Sequence, residues 1–575
     1  MNPLLLTAIG AALLWFAYRV HHRLLLSRAK HPSLRGHSRI SRRLARLVPF
    51  YEYSEAEFFA CDGADQQLAA RRRVGFFRLA ERLSMKAPAT LDKTRELAPS
   101  VSDMQFTGAY RVPFQFRSVV QQHLKAGGFA NETDGVKVRD LDGNWAYDLF
   151  GSYGVNLYGY DFYKTCIERA VEKAGALGPV LGPYHPTVAD NVERLKCISN
   201  LDEVSFHMSG TEAVMQAVRL ARYHTRRSQA VVFCGAYHGW WDGVQPGVGN
   251  QRSIGDIYTL KEMSDDTLRV LATRKDIACV LVNPLQALHP NAGASSDAML
   301  VNSDRGGRFD REAYAAWLRD LREVCTAKGI VLIFDEVFVG FRLGLCGAQE
   351  YFGVQADLVT YGKTLGGGLP VGVLTGRRDL MKRYREDRPT DICFARGTFN
   401  SHPYVMGAMN EFLRFAMQPE AIEDARRADT VWNDRAADMN AALEAGGLPV
   451  RVVNMSSIWM LTYPQPGRYN WMLQYYLRAE GLALSWVGTG RFIFSHNYTD
   501  QDFAEVRERI LRAARQMQAD GWWTPGAAMS DKDIRRRVFR EILSVRFGRP
   551  LPNAGEAQAS AGSSSSSSAS TPSRT

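Results

Sequence analysis

The first fifty residues contain no aspartate or glutamate but carry nine lysines and arginines. Of the chain's formal net charge of +11, +9 therefore sits in this opening segment and only +2 in the remaining 525 residues. The basic excess is a local arm, which excludes a broadly cationic, nucleic-acid-binding body. Cysteine clustering is missing too. The eight cysteines, Cys61 to Cys393, are scattered with no Cys-x-x-Cys and no Cys/His group. That pattern argues against a zinc site or a disulfide framework and for a reducing compartment, so no metal ligands are expected.

A long apolar run is also lacking. The best candidate, PLLLTAIGAALLWFAY at residues 3–18, makes about 24 Å of helix against a hydrocarbon core of roughly 30 Å. Positive charge follows this run instead of preceding it, and no small-residue cleavage site follows, so a removed signal is not expected. The reading is a retained membrane anchor over residues 1–26, with Trp15 and Tyr18 at an interface and the rest facing the cytoplasm. A short buried or interfacial helix is the alternative.

The 575 residues suffice for two or more domains with real cores. Residues 27–105 read as a basic helical extension, with RRRVGFFRLAERL (71–83) its clearest amphipathic stretch. From 176 to 400, short β-branched runs such as AVVFC, IACVLVNP and IVLIFDEV alternate with amphipathic helices such as TEAVMQAVRLARYHT. This predicts an α/β fold, a mostly parallel sheet sandwiched by helices. Residues 106–175 and 401–525 read as a smaller α+β domain. Residues 526–549 predict a basic amphipathic helix, for which packing on the body is preferred to lying on an anionic membrane. The Ser/Ala-rich end, 550–575, reads as disordered.

In VTYGKTLGGGLPVG (359–372) a lysine, Lys363, sits among apolar residues and glycines with no acid beside it. A solvated turn lysine is the plain reading, and a lysine kept partly neutral for covalent chemistry is the sharper one. Asp335 follows the apolar run IVLIF at the end of a predicted strand, where open α/β sheets gather ligands. By itself it could equally be a cap or a metal ligand. Ser209-Gly210-Thr211 opens a predicted helix, which makes either an ordinary N-cap or a phosphate site. An Asp and a Lys at neighbouring strand ends, with a phosphate site nearby, would suit pyridoxal phosphate.

MSGTEAVMQAVRLAR, AYHGWWDG, FDEVFVGFR and QEYFGVQADLVTYGKTLGGGLPVG occur in this order. So arranged, residues 110–515 resemble the class III, fold-type I pyridoxal-phosphate aminotransferases, most closely the glutamate-1-semialdehyde aminomutase branch. The resemblance implies that Lys363 forms the Schiff base and then moves the proton. It implies that Asp335 pairs with the pyridinium nitrogen, and that Val337 and Tyr237 cover the two ring faces. Ser209, Gly210 and Thr211 would hold the phosphate, His238 would belong to the Tyr-His-Gly cofactor motif, and Gln286 would lie near the phenolic oxygen. Thr398 would reach the partner subunit's phosphate, which implies a homodimer. An amino-acid donor and a carbonyl acceptor are the implied small-molecule substrates.

The departures concern the substrate side. Asn283 stands where the family usually has Glu, and the aminomutase's gating Glu has no counterpart. Gln115 stands nearest the place of its carboxylate-binding arginine, and Tyr153 at that of its tryptophan. Arg491 is a candidate for an acidic substrate group. GSYGVNLYG with VPFQF resembles aminotransferases attached to polyketide and lipopeptide synthases, which implies a long-chain or carrier-bound acceptor, with an acyl carrier protein as a partner. Rivals are a 2,1-aminomutase, a decarboxylase or racemase of the same fold, and a membrane-anchored pseudoenzyme scaffold.

Overall fold

The β-branched runs of the chain's middle become the seven strands of one sheet: β1 (Glu203–His207), β2 (Gln229–Phe233), β3 (Ile257–Leu260), β4 (Ile277–Val282), β5 (Val331–Asp335), β6 (Leu358–Gly362) and β7 (Gly372–Gly376). Their order is β1-β7-β6-β5-β4-β2-β3, with β7 antiparallel to both neighbours and the other pairs parallel. β4 and β5 are buried along their whole length, as continuous apolar strands must be when helices cover both faces. In the β5–β6 register Asp335 lies opposite Thr360, so the chain leaves both strands on the same side of the sheet. The structure is a computed structural model that describes residues 3–31, 37–109, 112–245, 249–252, 255–291, 309–484, 490–523, 529–549 and 551. Apart from Leu551, the Ser/Ala-rich tail lies outside these residues.

A second core joins Glu132–Asp134, Lys137–Arg139 and Trp145–Asp148 to parts of the chain beyond residue 428. The basic extension turns out to belong to this core and not to an appendage. Tyr51, Tyr53, Phe58 and Phe76 are buried there with Tyr469, Trp471 and Trp522. The helix Gln66–Lys86 buries Phe76, Leu79 and Leu83 and, on the same face, Arg72. Arg72 pairs with Asp62 at 2.8 Å, and its guanidinium carbon lies 4.6 Å from the Tyr469 ring centre. The C-terminal helix Asp531–Arg546 buries Ile534, Val538 and Glu541. Glu541 is held by Arg468 at 2.8 Å and accepts from the hydroxyls of Tyr51 and Tyr53. A buried pair of this kind costs about 3–5 kcal/mol when one partner is removed, so these contacts clasp both ends of the chain to the small domain.

The expected membrane-spanning anchor is corrected. Among the described residues, no helix is long and apolar enough to cross a membrane. The N-terminal helix runs from Pro3 to Ala29 and takes in Arg19, His21, His22 and Arg23, so charge interrupts it soon after the apolar run. Its far end is a protein contact: Leu25 and Leu26 pack on the main core, Ala29 is fully buried, and the Ala29 carbonyl accepts from Lys261 N at 2.8 Å. Residues 1 and 2 of the expected anchor lie outside the described residues.

Candidate active site

β5 delivers Asp335 to the sheet edge almost fully buried. A bare carboxylate there would be costly, and three groups satisfy it. Oδ1 accepts from Thr360 Oγ1 at 3.2 Å and from Val337 N at 3.3 Å, and Oδ2 lies 2.8 Å from His238 Nδ1. His238 is buried, so its place is behind the aspartate, where it orients the carboxylate. That role is more specific than the cofactor contact read from the motif.

Lys363 follows β6 directly and adopts a left-handed φ of +50°. A non-glycine residue held there stores strain, which clusters at functional positions. Its Nζ lies 5.2 Å from the Phe338 ring centre and makes no hydrogen bond among the described residues. Burial lowers its pKa below the ordinary lysine value, and the nearby Asp335 charge opposes that shift. The amine is thus easier to deprotonate than a surface lysine.

The helix Gly210–Thr225 begins beside them. Ser209 caps it, accepting from Glu212 N at 3.3 Å, which leaves the Gly210 and Thr211 N–H groups ahead of the first intrahelical bond. A Cβ on Gly210 would come within 2.6 Å of a Val337 methyl, so Val337 and the helix start are in direct contact. Tyr237 presents a ring 58% exposed, and its carbonyl accepts from Asn283 Nδ2 at 2.8 Å. Asn283 therefore braces the tyrosine's backbone where the family has an acid. Gln286 donates to the Cys234 carbonyl at 3.1 Å, while its buried Oε1 has no hydrogen-bond partner among the described residues.

Tyr153 lies in a left-handed turn, with φ +43° at Ser152 and +57° at Tyr153. Asp148 holds that turn. It accepts from Phe150 N and Gly151 N on Oδ1, and from Tyr160 Oη and Asn156 Nδ2 on Oδ2. The turn borders the lysine, since a Cβ on Gly154 would meet the Phe338 ring at 2.9 Å and Lys363 Cδ at 3.2 Å. Arg491 opens the strand Arg491–Ile493, and the Ile493 carbonyl lies against Gly151, so its strand flanks the same turn.

One expected residue is not brought to this cluster. Gln115 is fully buried beside the second core and its Nε2 donates to Tyr51 Oη at 3.3 Å, so it faces the N-terminal extension and not the lysine. Thr398, expected at the partner subunit's phosphate, sits in an exposed turn.

The profile of the class III aminotransferase family matches residues 119–513. This chain is a class III aminotransferase. Among its relatives is a glutamate-1-semialdehyde 2,1-aminomutase of Alkaliphilus oremlandii, 29% identical over 433 residues, 71% of this chain and 96% of the relative. A solved transaminase with pyridoxal phosphate bound superposes with a TM-score of 0.58 at 25% identity, covering 68% of this chain and 92% of that one. A glutamate-1-semialdehyde aminomutase of Pseudomonas aeruginosa PAO1 shares the fold, with a TM-score of 0.63 at 18% identity over 78% of this chain and 99% of that one.

The cofactor of this aminotransferase is pyridoxal phosphate, and the residues present fit it. Among the described residues Lys363 Nζ makes no hydrogen bond and Gln286 Oε1 is a buried acceptor without one, Asp335 is fixed near the lysine, and the Gly210 cradle would be filled by a Cβ.

Sequence reasoning missed Asp148 and Arg342. Arg342 is fully buried and donates to Ser457 Oγ at 2.8 Å and to the carbonyls of Phe494 and Asn156. It thereby ties the turn after Asp335 to the small domain, and burial brings its pKa down to about 10. The arginine ends the quoted motif FDEVFVGFR; its depth was the part the motif did not carry.

Proposed function

We propose that this aminotransferase moves an amino group from an amino-acid donor to a separate keto or aldehyde acceptor in two half-reactions on one site, the acceptor being a long-chain or carrier-bound acyl compound. The observation that carries the transfer is Lys363, whose Nζ makes no hydrogen bond among the described residues and lies near a fully satisfied Asp335. Bound pyridoxal phosphate supplies an electron sink. The chain supplies the rest. The Gly210 and Thr211 N–H groups at a helix start favour the phosphate, Asp335 holds a positive ring nitrogen, and Lys363 takes and returns a proton at Nζ. Phe338 and the Gly154 turn give the lysine an apolar wall, which supports an acceptor apolar next to its carbonyl. The exposed Thr398 turn, with Phe394 and Phe399 also exposed, supports a homodimer that completes the phosphate site.

The apolar half of the N-terminal helix, with Leu13, Leu14, Trp15 and Phe16 exposed, supports contact with the cytoplasmic face of a membrane without crossing it. Loading the enzyme with candidate amino acids should bleach the cofactor's visible band and release one keto acid per site. Acyl aldehydes of graded length, free and carrier-linked, should then restore the band. Isomerisation of one substrate with no donor would overturn the reading in favour of an aminomutase, and no bleaching by any amino acid would refute transamination.

A further inference from the structure

The C-terminal helix Asp531–Arg546 has a second face that the fold does not use. Facing inward are Ile534, Val538 and Glu541. Facing outward at helical spacing are Lys532, Arg535, Arg536, Phe539, Arg540, Leu543 and Arg546, followed by Phe547 just beyond the helix, all exposed. The three apolar members are large and open, with Phe539 60%, Leu543 38% and Phe547 71% exposed. The helix's acids offset only part of this charge, since Asp531 and Asp533 stand near five outward-facing basic residues. Asp533 caps the first turn through Ser530, Asp531 lies within 3.8 Å of Arg535, and Glu541 is spent inward on Arg468.

Tyr51 and Tyr53, which hold Glu541 from the inside, follow directly on Leu47 and Phe50, 52% and 67% exposed. These follow the helix Ser38–Ala45, which exposes Ile40, Leu44, Arg39 and Arg43. The Tyr51/Tyr53–Glu541 bonds thus tie the segment that follows the helix Ser38–Ala45 to the C-terminal helix.

We infer that this face binds an anionic lipid bilayer, with Phe539, Leu543 and Phe547 entering the headgroup region and the surrounding arginines meeting lipid phosphates. The inference does not depend on the reaction the enzyme carries out. Interleaved aromatic and cationic side chains suit an interface that is apolar below and negative above. A second copy of the same face would oppose arginine to arginine, since a two-fold contact is self-complementary.

The test uses the full chain loaded with its cofactor. It compares vesicles of phosphatidylcholine alone with vesicles containing phosphatidylglycerol, and follows amide hydrogen exchange of residues 531–547. Added phosphatidylglycerol should tighten binding and protect those amides. Arg536→Ala with Arg540→Ala should weaken binding to the anionic vesicles by roughly 30-fold, from the attraction of a basic side chain to an anionic surface. Phe539→Ser with Phe547→Ser should weaken it by about tenfold or more. Absence of protection in the unaltered chain, or binding by both double variants as tight as that of the unaltered chain, overturns the inference. So does a change in oligomeric mass in either variant, which would assign the face to a second copy.

Discussion

Gly210→Ala isolates the cofactor cradle with a single methyl group. The new Cβ would lie 2.6 and 2.9 Å from the two Val337 methyls. Carbon atoms in favourable contact are roughly 3.5–4.0 Å apart, so about 1 Å must be found. Val337 is β-branched and has few alternative rotamers, and β5 and the helix Gly210–Thr225 are both fixed in the core. Overpacking of this size costs about 1–3 kcal/mol. The backbone itself does not object, because Gly210 is not in the left-handed region and alanine favours helix. The displaced pair bears on both the ring face and the phosphate, so the strain should fall on cofactor affinity, weakening it by about 5- to 150-fold. Titration of the apo chain with pyridoxal phosphate, read by absorbance, measures this directly. The double variant Gly210→Ala/Val337→Ala removes the clash and should recover most of the affinity. If Gly210→Ala binds the cofactor as tightly as the parent chain, the cradle argument is wrong. If the double variant stays as weak as the single one, the clash with Val337 is not the cause.

Two further outcomes concern stability. Burial raises the carboxyls of Glu262 and Glu336 to about 8, above the usual glutamate value, so the folded state keeps protons that the unfolded chain has released. Their contribution is complete below about pH 4.5 and is lost as pH rises through about 8, at no more than about 1.4 kcal/mol per pH unit for each. His207 and His496, lowered by burial to about 4 and about 3, act with the opposite sign and only below about pH 6.5, where an unfolded histidine gains its proton. Urea denaturation between pH 6.5 and 8 should therefore show a smaller slope for Glu336→Gln than for the parent, and identical slopes would contradict the burial argument. Arg342→Met should destabilise the fold by about 2–6 kcal/mol, since it leaves two buried carbonyls without a donor. An unchanged melting temperature would show that the arginine is not the clasp between turn and small domain.

Where the sequence was informative, one local stretch carried both the pattern and the chemistry. Asp335 stands at the end of an apolar strand, Ser209 stands before an amphipathic helix, and Lys363 stands in a run whose glycines mark close backbone approach. The substrate side was less legible because it is made by contacts across the chain. Asp148 reads as one strand-end acid among many, and only the fold shows it collecting four donors around a left-handed turn beside the lysine. Gln115 aligned loosely with a family position, yet its true neighbour is Tyr51, from a segment outside the family match.

The N-terminal extension shows which part of the difficulty was avoidable. Its stretch 71–83 reads as amphipathic, but arginines are seldom fully buried, so the pattern alone does not put Arg72 inside. Yet Arg72, Phe76, Leu79 and Leu83 are spaced by four, three and four residues, which puts the arginine on the apolar stripe. An arginine in that register must be paired or must stack if the helix docks at all. The spacing could therefore have flagged a docked helix and a buried ion pair. It could not have named Asp62, Tyr469 and the Gly521 carbonyl as the partners, since two of the three lie about 400 or more residues away and only the folded chain brings them together.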